Sequence, residues 1–133
     1  MPSYKLQEAV FNKLQGLSAP VYDHVPQKSA YPYIVIGEDT ISEWDTDDKT
    51  GFDATVTIHV WSRYRGKKEA KLIQSEIYAA MNRQNLDIAD YGTAGVTFQY
   101  QDVFMDSDGL TYHGVCRYQV LFAEPNEFEL GVC

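Results

Sequence analysis

The chain has 133 residues, 44% of them hydrophobic and 23% charged, which fits one globular domain with a core of its own and removes the need for metal or disulfide staples. With 11 basic against 19 acidic residues the net charge is −8, so the average surface repels duplex DNA and anionic membrane; a surface that only lets DNA slide past gains from such a charge. Cys116 and Cys133 make no disulfide framework, no stretch approaches the ~20 apolar residues of a membrane span, and no N-terminal run reads as a signal peptide, so the expected setting is a reducing cytoplasm or an assembly built there.

Residues Ser3 to Gly16 read as a first helix: Leu6, Val10, Leu14 and Leu17 form one apolar stripe, Ser3 suits the N-cap, and Gly16 and Pro20 close the segment. A proline-punctuated connector, Val21-Tyr22-Asp23-His24-Val25-Pro26, leads to the apolar run Tyr33 to Gly37, expected to be a strand covered on both faces, with Pro32 at its entrance. Glu38 to Gly51 is the most acidic segment. It holds Glu38, Asp39, Glu43, Asp45, Asp47 and Asp48 around Trp44, and reads as a long loop or the extended arm of a hairpin.

From Phe52 to Ser62 the pattern alternates, with Phe52, Ala54, Val56, Ile58 and Val60 facing a core and Asp53, Thr55, Thr57, His59 and Trp61 facing away. A basic run, Arg63, Arg65, Lys67, Lys68 and Lys71, then opens a second helix near Gly66. Its stripe is Ala70, Ile73, Ile77, Ala80 and Met81, and Asn82 to Asn85 ends it. Leu86 to Gly95 is a connector, with or without a short strand at its start. Val96 to Met105 and Leu110 to Phe122 are long strands, joined by the turn Asp106-Ser107-Asp108-Gly109. In the second, Leu110, Tyr112, Cys116, Tyr118, Val120 and Phe122 share one face, and Gly114 marks a bulge or a close backbone approach. The expected fold is α+β, in the order α-β-β-α-β-β: an antiparallel sheet of about four to five strands against two helices, in one domain over residues 1–123, followed by a tail over 124–133.

The chemistry-bearing motifs are sparse. His24, His59 and His113 sit in three elements with no metal-site spacing, so each is expected in a local hydrogen bond or at the surface. The Asp106–Gly109 run opens like a calcium loop but lacks the further oxygen ligands and closing Glu, and the turn reading prevails. Gly66-Lys67 lacks the upstream glycine and following hydroxyl of a phosphate loop. Catalytic carboxylates need a cleft that separates their pKa values, which an acidic loop without apolar anchors does not supply. Nucleophile elbow and nucleotide fingerprint are absent, so no catalytic residue, metal or cofactor is assigned.

The N-terminal helix, Val21 to Pro26, Tyr31-Pro32-Tyr33-Ile34-Val35-Ile36-Gly37, Thr57-Ile58-His59-Val60-Trp61-Ser62, Glu69-Ala70 and Tyr112 to Tyr118 together resemble the tail completion, or tail terminator, proteins of long-tailed bacteriophages, over roughly residues 4 to 122. The resemblance implies a virion structural protein and no catalytic residues. It implies a hexameric ring on the end of the tail tube, stopping tube growth and joining the tail to the head connector, with DNA passing through unbound, in a particle assembled in the bacterial cytoplasm. In a ring, one patch meets a different patch of the next copy. Glu43, Trp44, Asp45, Asp47 and Asp48 are therefore the expected complement of Arg63, Arg65, Lys67 and Lys68 of a neighbour or an adjoining ring. Other readings stay open: another phage neck protein, such as a head-completion or minor tail protein, or a small enzyme or ligand-binding domain, which a deep pocket joining His59, His113 and carboxylates would support.

Overall fold

The computed structural model describes residues 2–45 and 50–124. Its elements are α1 (Ser3–Lys13), β1 (Val21–Tyr22), β2 (Tyr33–Asp45), β3 (Thr50–Ser62), α2 (Lys68–Met81), β4 (Asn85–Ile88), β5 (Gly92–Met105) and β6 (Tyr112–Ala123). The strands form one sheet in the order β1-β2-β3-β6-β5-β4, antiparallel except for β1 beside β2. The α+β class and the two helices agree with the sequence reading. Among the described residues the count is six strands rather than four to five, because β1 and β4 are too short to show a hydrophobic period.

Both helices lie on one face of the sheet. α1 touches β2 and β4, on opposite sides of the sheet order, so the sheet curls around the helices, and α2 lies on β3, β5 and β6. The core stripes fall where periodicity placed them. Leu6, Val10 and Leu14 of the first helical segment, Ala70, Ile73, Ile77 and Met81 of α2, and Phe52, Ala54, Val56, Ile58 and Val60 of β3 are all buried. Burying one such aliphatic side chain contributes ~1.5–3 kcal/mol.

Four local expectations change, and one reading left open is decided. α1 ends at Lys13 and is entered at Pro2 without a side-chain cap, so Ser3 is its first helical residue and not the N-cap. β2 is fully buried on one face only: Ile34 and Ile36 are buried, while Tyr33 and Val35 on the other face are partly buried. Of the two readings of the acidic segment, loop or hairpin arm, the arm is the one found: Glu38 to Asp45 is strand, the outer half of a β2–β3 hairpin, with a register shift between Ile36 and Asp39. Leu110 stands in the turn, 55% exposed, and not on the core face of β6. The space above Gly114 is filled by a side chain, that of Gln74 from α2, and not by another backbone.

Gln74 is fully buried. Its amide Nε2–H donates to the Asp102 carbonyl (3.0 Å) and the Val115 carbonyl (3.3 Å), bridging β5 and β6. The end of α2 is tied to β5 as well, since the Phe98 N–H donates to Asn82 Oδ1 (2.9 Å) and the Arg83 N–H donates to the Val96 carbonyl (2.9 Å).

The β5–β6 turn is closed by Asp108. Its carboxylate accepts from the Leu110 N–H (2.8 Å), the Thr111 N–H (2.8 Å) and the Thr111 hydroxyl (2.7 Å), and these bonds hold its pKa down at about 2. Gly109 supplies the positive φ, +67°. Asp108→Ala frees three donors in one turn and is expected to lower Tm by several degrees in a thermal melt, with Asp108→Asn intermediate; an unchanged Tm would contradict the assignment.

Candidate assembly interface

The nominated acidic and basic segments lie at opposite ends of the sheet. Glu43, Trp44 and Asp45 pair with Phe52, Gly51 and Thr50 at the start of β3, and Arg63 follows its end at Ser62. β3 has 13 residues, which spans ~40 Å at ~3.3 Å per residue. The two segments therefore do not meet within one copy. Asp47 and Asp48 lie outside the described residues.

At the acidic end, Glu38, Asp39, Glu43 and Asp45 are all exposed. The Trp44 indole lies across Gly51, where a Cβ would overlap it, yet stays 41% exposed. At the basic end Arg63 is anchored: its Nε–H donates to Thr111 Oγ1 (3.1 Å) and its guanidinium sits 4.4 Å over the Tyr31 ring. Arg65, Lys67 and Lys68 are exposed on the approach to α2. Lys67 and Lys71 line a concavity with Gln101, Asp102 and Val103 of β5.

The sheet face away from the helices carries a cluster that sequence spacing did not assemble. Antiparallel pairing sets Trp61 opposite His113 and His59 opposite Val115. The His59 Nε2–H donates to Glu38 Oε1 (2.6 Å), and His59 Nδ1 shares one proton with His113 Nε2 (2.7 Å). The His113 ring stacks on Trp61 with centroids 3.9 Å apart. Burial, then the neighbouring His59, lowers the His113 pKa, against weaker upward pulls from Asp106 and Glu38. The bond from His59 lowers that of Glu38.

Both shifts act in the same direction. Each group has a folded pKa below its unfolded value, so its stabilisation is present above that unfolded value and fades as the pH falls. The window opens near 6.5 with His113 and continues below 4.5 with Glu38. The Tm is expected to fall between pH 7 and pH 4, and His113→Phe, which keeps the stack on Trp61, should flatten the upper part of that fall. An unchanged slope in the variant would remove His113 from the account.

This cluster lies on a sheet face, and among the described residues none of the cavities found takes its lining from His59, His113 or Glu38. A cavity of about 460 Å³ lies elsewhere, lined by Lys5, Glu8 and Asn12 of α1 and by Asp87 and Asp90 near β4. Among the described residues, no group of three or more His, Cys, Asp or Glu is placed to hold a metal ion. Cys116 is buried and free, and burial pushes its thiol up to about 12, which keeps it protonated and unreactive.

Comparison with known proteins gives a consistent result. The tail completion protein gp17 of Bacillus phage SPP1 is 27% identical over 124 residues, covering 88% of this chain and 91% of that protein. A chain of the virion of a native gene transfer agent particle shares the fold, with a TM-score of 0.82 and 15% identity over 92% of this chain and 97% of its own. The family model described as tail completion protein gp17 matches residues 7–123, nearly the whole described structure, and the chain belongs to that family.

Proposed function

We propose that this protein, a structural component of a phage tail, terminates the tail tube: copies close into a ring, six by the sequence resemblance, that caps the tube, stops its growth and presents a surface to the head connector. The observation that carries the reading is the separation of the charged segments along β3. Opposite patches at opposite ends of one subunit are what a head-to-tail ring needs, since each interface then joins unlike surfaces. Exposed ion pairs supply only ~0–1 kcal/mol each, so Glu43 and Asp45 against Arg65, Lys67 and Lys68 would set register and partner choice more than affinity. Most of the affinity would come from apolar contacts, with Trp44 foremost. The acidic average surface suits a conduit through which DNA slides.

The ligand-domain reading required a pocket that gathers His59, His113 and carboxylates. The imidazoles do meet one carboxylate, Glu38, but on a sheet face. A cryo-EM map of assembled particles tests the proposal: it should show a ring of this chain between tail tube and connector, and a map with other proteins filling that level would refute it.

A further inference from the structure

Among the described residues, two stretches of strand edge carry no neighbouring strand, and they match one another. On β2, β1 covers only Ile34 and Val35, leaving Glu38 to Asp45 without a strand on the outer side. On β5, β4 covers Gly92 to Gly95, and Arg83 and Asn82 bond to Val96 and Phe98, leaving Tyr100 to Met105. There the Val103 N–H is taken by the side chain of its own neighbour, Asp102 (2.9 Å). Unpaired edges invite strand addition unless something blocks them.

We infer that the β2 edge of one copy pairs with the β5 edge of the next, so that the sheet runs on from subunit to subunit; this rests on the ring reading above. Direction agrees. β2, β3, β6 and β5 alternate in sense, so β2 opposes β5, and rotation about an axis near the strand direction brings them together antiparallel.

The two faces agree as well. On the helix face of β2, Asp39, Ile41 and Glu43 lie opposite the buried Val56, Ala54 and Phe52. On the helix face of β5, the corresponding surface holds Lys67, at the entrance to α2, and Lys71 of α2 beside Gln101 and Val103. On the opposite face, Trp44 of β2 would meet the exposed Tyr100 of β5, and the exposed Phe104 would lie against Thr40. One pairing thus matches acid to base on one face and aromatic to aromatic on the other. The like charge on the β5 edge, Asp102, faces the neutral Thr40 and Ser42.

The open stretches are also staggered. Ile41 lies level with Ala54, Val120 and Val96, whereas Ile34 lies level with Val60, Gly114 and Val103. Joining them displaces each copy by about six residues, counted on the regular strands β3 and β6, or ~20 Å along the strands, at ~3.3 Å per residue. A closed ring absorbs such a displacement as strand tilt, the shear of a barrel. β1 and β4 then act as stops that allow only this register.

The test uses particles purified from cells in which the full gene carries Cys133→Ser, Ser42→Cys and one of Tyr100→Cys, Asp102→Cys or Phe104→Cys. After mild oxidation, a non-reducing gel should show at least one combination forming a ladder of this chain up to the ring, while single-cysteine versions stay monomeric. A separate pair keeps the inference exposed if a cysteine version misfolds. Glu43→Lys and Lys71→Glu should each lower incorporation into particles at least tenfold, and the double exchange should restore most of it. Particles that contain the chain but yield only monomer, with both reversals incorporated normally, would overturn the edge pairing and leave the ring standing. Cross-links to a different tail protein would also overturn it. Wild-type particles without the chain would overturn the ring reading itself.

Discussion

Truncating Tyr118 to alanine is expected to cost ~3–5 kcal/mol of folding free energy, the range for emptying a large aromatic site in a packed core. Tyr118 is among the largest side chains with no exposed surface. It stands on the helix face of β6, opposite Val56 and Phe98 in the sheet, and meets the Phe98 ring edge-on at 5.7 Å. Its hydroxyl has no hydrogen-bond partner among the described residues, and burial drives its pKa far above the usual tyrosine value. Removing an unpaired buried hydroxyl while keeping the ring relieves a desolvation cost. Tyr118→Phe is therefore expected to be neutral or to stabilise by up to ~1 kcal/mol. Urea unfolding of the two variants reads both. A loss of more than ~1 kcal/mol in Tyr118→Phe would mean that the hydroxyl is satisfied in solution.

Trp44→Ala is expected to separate folding from assembly. The indole packs on Gly51 at the end of the β2–β3 hairpin, but much of it faces solvent in the single copy. Its removal should cost folding no more than ~1 kcal/mol, whereas loss of an aromatic anchor at an interface typically costs ~2–4 kcal/mol, or roughly 30- to 1,000-fold in affinity. Thermal melts of the purified variant and its copy number in purified particles measure the two effects. Normal incorporation would remove Trp44 from the interface. A collapsed Tm would make it a folding residue.

The elements were legible in this sequence where one face is buried against the helices and the other is not. Phe52 to Val60 and Tyr112 to Phe122 show period two for that reason, and both stripes landed in the core. Glu38 to Asp45 was ambiguous because both of its faces are mostly exposed, so its strand conformation leaves no hydrophobic period to read. β1 owes its existence to Val21 and Tyr22 lying beside Ile34 and Val35, a tertiary contact with no local signal.

Register was the main missing quantity. Sequence alternation put His59 and Trp61 on the outward face of β3, but only the pairing of β3 with β6 brings His113 onto them. Gln74 was within reach: it stands four residues after Ala70 and three before Ile77, inside the α2 stripe, and its polarity kept it off the list of core positions. The charged segments were found from composition alone. Their placement at opposite ends of one strand gives them a consequence for assembly.

Disruption of the gene in a phage that encodes it is the most direct measurement of the central claim, with the products viewed by negative-stain electron microscopy and complemented from a plasmid. A terminator predicts tails of uncontrolled length, filled heads without tails attached, and rescue of both by the intact gene. Tails of uniform normal length joined to heads in the absence of the chain would contradict the account.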